Sequence, residues 1–145
     1  MTSWHRLGLL FAIVALTACG GGGPPAMGDA GRTGDPVHGM LVVQMSTCNQ
    51  AGICHGPDLG GSTMPDATGS HVYPRNITPD MATGIGTWTD AQIETAVRTG
   101  VAPTRMLCAD MLRFPTMPAQ DMADLIAYLR TVAPVSRAIP DSSCP

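Results

Sequence analysis

Three stretches of this chain repeat apolar residues with helical period, and long irregular segments separate them. Asp35-Pro36 reads as an N-cap followed by proline at the first helical position. Val37, Met40, Leu41, Gln44 and Met45 then continue a helical stripe to about Ser46. Gly39 lies inside this helix, where glycine costs about 1 kcal/mol against alanine; a close helix crossing would explain it. Thr89-Asp90-Ala91-Gln92 is a capping-box pattern. Ile93, Ala96 and Val97 give the second helix one apolar face, and Gly100 stops it. The third helix is opened by Pro118, and Met122, Leu125, Ile126 and Leu129 follow the i, i+3, i+4, i+7 pattern. Tyr128 sits beside that stripe, and Pro134 ends it. No strand pattern competes. From Gly56 to Thr87 there is no sustained period, only punctuation: Gly60-Gly61, Met64-Pro65, Tyr73-Pro74, Thr78-Pro79. A loop of that length in a small domain is uncommon unless it has a task, and wrapping a cofactor is such a task.

The N-terminal residues stand outside this pattern. His5 and Arg6 give a short positive start, and Leu7 to Leu16 form an apolar run too short to cross a bilayer as a helix. The run ends in Leu16-Thr17-Ala18-Cys19, which resembles a bacterial lipoprotein cleavage site, with Cys19 as the lipidated residue. The alternative is an ordinary signal peptide with Cys19 incidental. Gly20 after the cysteine resembles the signal that sorts lipoproteins to the outer membrane. The expected organisation is a lipoprotein signal peptide over 1–18, a Gly/Pro-rich tether over 19–34 and one small domain over 35–145. A domain that small gains from a staple: a disulfide, a metal or a cofactor.

All eight basic residues are arginine, against eleven acids, for a net charge of −3. The charges are scattered and form no basic run, which disfavours nucleic acid as a partner.

The chemistry concentrates at Cys54-His55-Gly56, with Cys48 upstream. A Cys-His pair with a second cysteine shortly before it is how a c-type haem is held: two thiols add to the vinyl groups and the histidine gives one axial nitrogen. The usual spacing is C-x-x-C-H; here it is C-x5-C-H. Five residues can still present both sulfurs to one ring edge if three bulge outwards, which Gly52 eases. Attachment through Cys54 alone, or a Cys48–Cys54 disulfide, are the alternatives. With Cys19 assigned to lipid, Cys108 and Cys144 remain. In an exported protein they can form a disulfide that ties the C-terminal tail to the loop before Met111; one or two free thiols is the other reading. Arg75, Asn76 and Trp88 are candidates to contact haem propionates, each with a plainer reading as surface arginine, turn asparagine and core aromatic.

Pro74-Arg75-Asn76-Ile77-Thr78-Pro79-Asp80, then Thr83-Gly84-Ile85-Gly86-Thr87-Trp88-Thr89-Asp90, and Arg98-Thr99-Gly100-Val101 complete a pattern with the Cys-His-Gly motif. Over about Asp35 to Val132 the chain resembles small monohaem class I cytochromes c, and in particular those serving as haem subunits of periplasmic dehydrogenases. The resemblance implies an all-α fold of three main helices with long loops around one haem c and its iron. It implies that the first and last helices cross with Gly39 against Tyr128. It implies an acceptor for the His55 ring N–H from a proline carbonyl after the motif, for which Pro65 is the expected place. It implies iron ligation by His55 and by a methionine in the loop before the last helix. Met111 is that choice, with Met117, Met106 and His71 as the other candidates. The expected function is single-electron transfer without catalysis, on the periplasmic side and held at the membrane by lipid, with a redox protein as partner. Three rivals stand beside it: a five-coordinate haem enzyme, a zinc-like module of Cys48, Cys54 and His55, and a haem-less, disulfide-stapled lipoprotein.

Overall fold

The computed structural model describes residues 32–52, 54–65 and 71–144. The expected signal peptide, Cys19 and the tether up to residue 31 lie outside the described residues, as do Ile53, residues 66–70 and Pro145.

Three helices form where the periodicity places them: α1 (Pro36–Met45), α2 (Asp90–Thr99) and α3 (Ala119–Thr131). Each is bounded by the residue chemistry of its ends. The Asp35 carboxylate accepts the Val37 amide at 2.8 Å and Pro36 needs no donor there. Thr89 and Gln92 form the full capping box, and Gly100 ends α2 in the left-handed region. Pro118 precedes α3 without a side-chain cap, and Val132 leaves it in extended conformation.

The expectation of no strand is corrected in one small respect. Val101–Ala102 (β1) and Arg105–Met106 (β2) pair antiparallel as a two-residue ribbon. Its cause is local: Gly100 reverses the chain, and Pro103-Thr104 turn it back at once. Among the described residues no helix is long and apolar enough to cross a membrane.

The architecture rests on the crossing of α1 and α3. A Cβ on Gly39 would fall onto the Asp124 carbonyl and within 2.8 Å of the Tyr128 Cβ, so the two backbones touch where only glycine fits. Gly39 against Tyr128 is the crossing the family pattern implies. The contact also decides which face of α1 packs. Gly39, Val42 and Val43 are buried, whereas Val37, Leu41 and Met45 of the sequence stripe are exposed. Because α1 is apolar on nearly every side, periodicity could not select its inner face; the glycine selects it. On α2 and α3 the stripe is the buried face: Ile93 and Ala96, then Met122, Leu125, Ile126 and Leu129. Ile93, Met122, Leu125, Ile126 and Leu129, with Val42 and Val43 of α1 and Leu59 and Ile85 from the long loop, make one continuous core.

Asp124 is a polar tie inside this crossing. Its Oδ1 accepts the Asp35 amide at 2.7 Å and Gln120 at 2.8 Å, and its Oδ2 pairs with His38 Nδ1 at 2.7 Å. The start of α1 is thereby fixed to the middle of α3. Thr33 and Gly34, at the end of the expected tether, already touch α3.

After α3 the chain does not turn away. Residues 133–144 run as an extended tail back across the 71–78 segment and finish at a Cys108–Cys144 disulfide. The pairing is the one left by cysteine counting.

Two measurements check this frame. Gly39→Ala forces a methyl against backbone that cannot yield, and urea unfolding should show a loss of about 3 kcal/mol. The Asp124 hydrogen bond raises the pKa of His38 above its ordinary 6.5. The pair's contribution is therefore complete below that ordinary value and lost as pH rises through the raised one. His38→Gln should lower stability most below pH 6.5 and remove the decline that the wild-type chain shows as pH rises above that value, which urea unfolding across pH checks.

Candidate functional site

Cys48 follows α1 through a turn in which Thr47 takes a positive φ of 58°. The Cys48 amide bonds Val43 O at 3.0 Å, which anchors the cysteine to the last turn of the helix. The chain then loops out and returns. Gln50 N bonds Thr47 O, Cys54 N bonds Gln50 O, and His55 N bonds Cys48 O at 2.9 Å. The last bond closes the neck of the loop, so Cys48 and His55 are hydrogen-bonded neighbours despite the long spacing. The surplus residues face water: Ala51 and Gly52 are exposed, and Gly52 has a φ of 77° with open space around its Cα. Both thiols are free and half-buried. Burial, with the nearby Cys54 adding to it, pushes the Cys48 thiol up to about 11.

His55 is buried, and its ring is held by one bond: Nδ1 lies 2.6 Å from the Arg75 carbonyl oxygen. A carbonyl can only accept, so Nδ1 carries the proton and Nε2 keeps its lone pair. Burial lowers the pKa of the imidazole, opposed in part by the Arg75 carbonyl. The ring is therefore neutral near pH 7, with a fixed tautomer and a nitrogen free to ligate. The expected Pro65 acceptor is corrected: the carbonyl is that of Arg75, which follows Pro74. The loop's own folding makes the difference. Leu59 N bonds Gly56 O and Gly61 N bonds His55 O, so the chain has already turned back by residue 61. Ser62 N then bonds Pro74 O and Ile77 N bonds Leu59 O, laying residues 74–77 against it. Gly61, at φ 77°, is pressed on that segment; a Cβ there would lie 2.5 Å from Pro74 O and 2.7 Å from the Arg75 carbonyl carbon.

The other expected site residues separate. The Arg75 side chain points to the tail, donating to Ile139 O at 3.2 Å and Asp141 Oδ1 at 3.1 Å. Asn76 is buried and its amide is fully engaged. Nδ2 donates to Val135 O and Thr83 Oγ1, and Oδ1 accepts from the Thr78 amide and hydroxyl. Trp88 packs against the core. The plainer readings of these two side chains therefore describe what they touch.

Met111 is half-buried in a turn of its own, its amide bonded to Cys108 O at 3.1 Å. Met117 packs against the core, Met106 is exposed on β2, and His71 is exposed. Sequence reasoning missed the Arg75 carbonyl and the buried Asp124. The Pro74-Arg75 step carried a signal for the first, since it is one of the prolines of the long loop; nothing in the sequence marked the second.

Comparison with known proteins finds relatives of this sequence. A diheme cytochrome c-type protein of Cereibacter sphaeroides is 34% identical over 127 residues, covering 75% of this chain and 40% of its own length. The cytochrome c subunit of gluconate 2-dehydrogenase from Pantoea cypripedii is 38% identical over 93 residues, 61% of this chain and 21% of its own. The chain is related to the cytochromes c. One of the subunits of nicotinate dehydrogenase from Pseudomonas putida is 33% identical over 104 residues, 67% of this chain and 9% of its own. This cytochrome c relative thus spans less than half the length of the curated proteins it matches. No family model matches it.

The donor set of this cytochrome c relative suits a ring held at its edge better than a point metal. Among the described residues, the group whose ligand atoms converge within 4.8 Å is His38, Asp121 and Asp124. Cys48, Cys54 and His55 do not converge so, which argues against a zinc-like module.

A buried neutral histidine costs stability in acid. His55 has an ordinary value of 6.5 and a lower one when folded. The unfolded chain therefore binds the extra proton first, and stability falls as pH drops below 6.5. One proton sets a slope of at most about 1.4 kcal/mol per pH unit. Urea unfolding of the haem-free His38→Gln chain, where the opposing titration of His38 is removed, should show this decline between pH 6.5 and 5.5; a flat profile there would contradict a buried neutral imidazole.

Proposed function

We propose that the chain is a monohaem electron carrier with His55 and Met111 as axial ligands, working beside a dehydrogenase. Its relationship to the cytochromes c implies covalently bound haem c with its iron, and electron transfer rather than catalysis. The observation that carries the finer reading is the His55 ring: Nδ1–H is fixed on the Arg75 carbonyl, Nε2 is free, and two unpaired thiols stand in the same loop. Haem iron, when bound, supplies the chemistry by accepting and releasing one electron.

Each residue has a task that its surroundings support. Cys48 and Cys54 would form the thioethers, Cys48 anchored to α1 and Cys54 at the end of the bulged loop. His55 ligates through Nε2, and the Arg75 carbonyl keeps the ring from rotating and strengthens it as a donor. Met111 would supply a soft thioether as the second protein ligand, which would favour the reduced state and raise the potential relative to two nitrogens. Met117 keeps its packing role against the core. A haem held by both His55 and Met111 would leave no open position for substrate chemistry.

Export, lipid attachment through Cys19 and a place on the periplasmic side of the outer membrane complete the proposal. Such a tether would hold the domain near a membrane-bound partner and raise its local concentration. The dehydrogenase subunits among its relatives support a redox protein as that partner.

Replacing the sixth ligand tests the assignment. In Met111→Ala the Met-to-ferric-haem charge-transfer band should vanish, imidazole should bind the ferric protein at least tenfold tighter, and the reduction potential should fall. Met117→Ala and Met106→Ala should keep the band. Loss of the band in either of these, with Met111→Ala unchanged, would move the ligand.

A further inference from the structure

The extended tail, residues 133–144, touches the loops of both proposed axial ligands. It runs antiparallel to residues 71–78 with a bond at almost every second residue. Val135 N donates to Thr78 Oγ1 at 3.1 Å, and Val135 O accepts Asn76 Nδ2 at 2.6 Å. Ile139 O and Asp141 hold the Arg75 guanidinium, Ser142 Oγ accepts the Tyr73 amide at 2.9 Å, and Ser143 N donates to His71 O at 3.2 Å. Arg137 reaches the other side of the same loop system. Its guanidinium bonds both Asp58 oxygens, at 3.3 and 2.8 Å, and Gly61 O at 2.8 Å. Gly61 is the residue pressed on the Arg75 peptide.

The end of the tail is fixed by covalent chemistry to the opposite loop. Cys144 is bonded to Cys108, and the Cys108 carbonyl accepts the Met111 amide. Cys108 and Met111 are the two ends of one hydrogen-bonded turn. Arg105, just before it on β2, also faces Asp141 at 3.8 Å. Asp141 is almost wholly exposed, so its ion pairs contribute little, and the other hydrogen bonds, most of them between a side chain and a backbone group, carry the attachment with the disulfide.

We propose that this tail is a strap that positions both axial ligands at once. Through Arg75 and Gly61 it holds the carbonyl that orients His55; through Cys108–Cys144 it holds the turn that presents Met111. The proposal rests on the His55/Met111 reading above. Besides the disulfide and the exposed Arg105–Asp141 pair, the bonds that tie down the Met111 turn among the described residues run to neighbouring loop segments: Leu107 N to Gly100 O, Arg113 Nε to Thr99 O and Nη2 to Leu107 O, and Phe114 N to Val97 O. Opening the disulfide should therefore loosen the methionine side first and leave the histidine side held. Cys108 and Cys144 are positioning residues.

The test uses the full haem-loaded chain, so that folding and haem attachment are complete before anything is altered. A water-soluble phosphine opens the disulfide, taking up the oxygen of water as phosphine oxide and leaving two thiols. N-ethylmaleimide caps them, peptide mapping verifies both caps, and ferricyanide returns the iron to the ferric state. Thioether links survive this treatment. The expected result is a weaker Met-to-ferric-haem band, an alkaline loss of that band at least one pH unit lower, and imidazole binding at least tenfold tighter. Cys108→Ser/Cys144→Ser should show the same shifts where it matures. An untreated chain with the band and a capped chain with the same band, alkaline midpoint and imidazole affinity would overturn the strap while leaving the ligand assignment standing. An untreated chain lacking haem or the band would instead overturn the reading on which the strap rests.

Discussion

The hydrogen bond from His55 Nδ1 to the Arg75 carbonyl is the constraint on which the rest of this structure turns. It fixes a proton on one ring nitrogen and frees the other, and it does so in a buried place where the charged imidazole is disfavoured. A surface histidine would choose its tautomer and its protonation state freely. This one has both chosen for it by a peptide carbonyl twenty residues further along the chain. Several described residues of the long loop bring that carbonyl into place. Gly61 allows close backbone approach, Asn76 satisfies the turn after Arg75, and Leu59 and Ile85 pin the loop to the helical core.

The helices supply the platform. Gly39 lets α1 and α3 touch, and the last turn of α1 leads directly into Cys48. Asp124 locks the start of α1 to α3, so α1 is held at its N-terminal end by polar bonds and along its length by packing. The Cys48 carbonyl then captures the His55 amide, and Gln50, Ala51 and Gly52 in the wide gap between the two cysteines lie exposed. Spacing in sequence and spacing at the site are thus different quantities. What a haem edge would meet is set by the neck of the loop and not by its contour.

The three helices were legible because their ends carry explicit chemistry: Asp35-Pro36, the Thr89/Gln92 capping box, Gly100 and Pro118. The inner faces of α2 and α3 were legible from period alone. The inner face of α1 was not, since Val37, Leu41 and Met45 are as apolar as Val42 and Val43, and only a tertiary contact distinguishes them. Cys48, Cys54 and His55 were visible as a constellation, and the Cys108–Cys144 bond followed from counting. The sequence points to the wrong proline for the partner of His55, because nothing local shows how sharply residues 55–61 turn back. Arg75 and Asn76 stand out for their side chains, yet those side chains tie the loop to the tail, and it is the Arg75 backbone that serves the site. The tail itself has no periodic signal, since its bonds are to backbone and to scattered hydroxyls.

The central claim is that a haem is joined covalently where Cys54 precedes His55. The most direct measurement is the mass of the mature protein, denatured, from a host that attaches haem to exported chains. The account predicts the polypeptide plus one haem that survives acid-acetone extraction, with Cys48 and Cys54 both refractory to N-ethylmaleimide. A colourless polypeptide without added mass, its Cys48 and Cys54 joined to each other or open to the reagent, would contradict it.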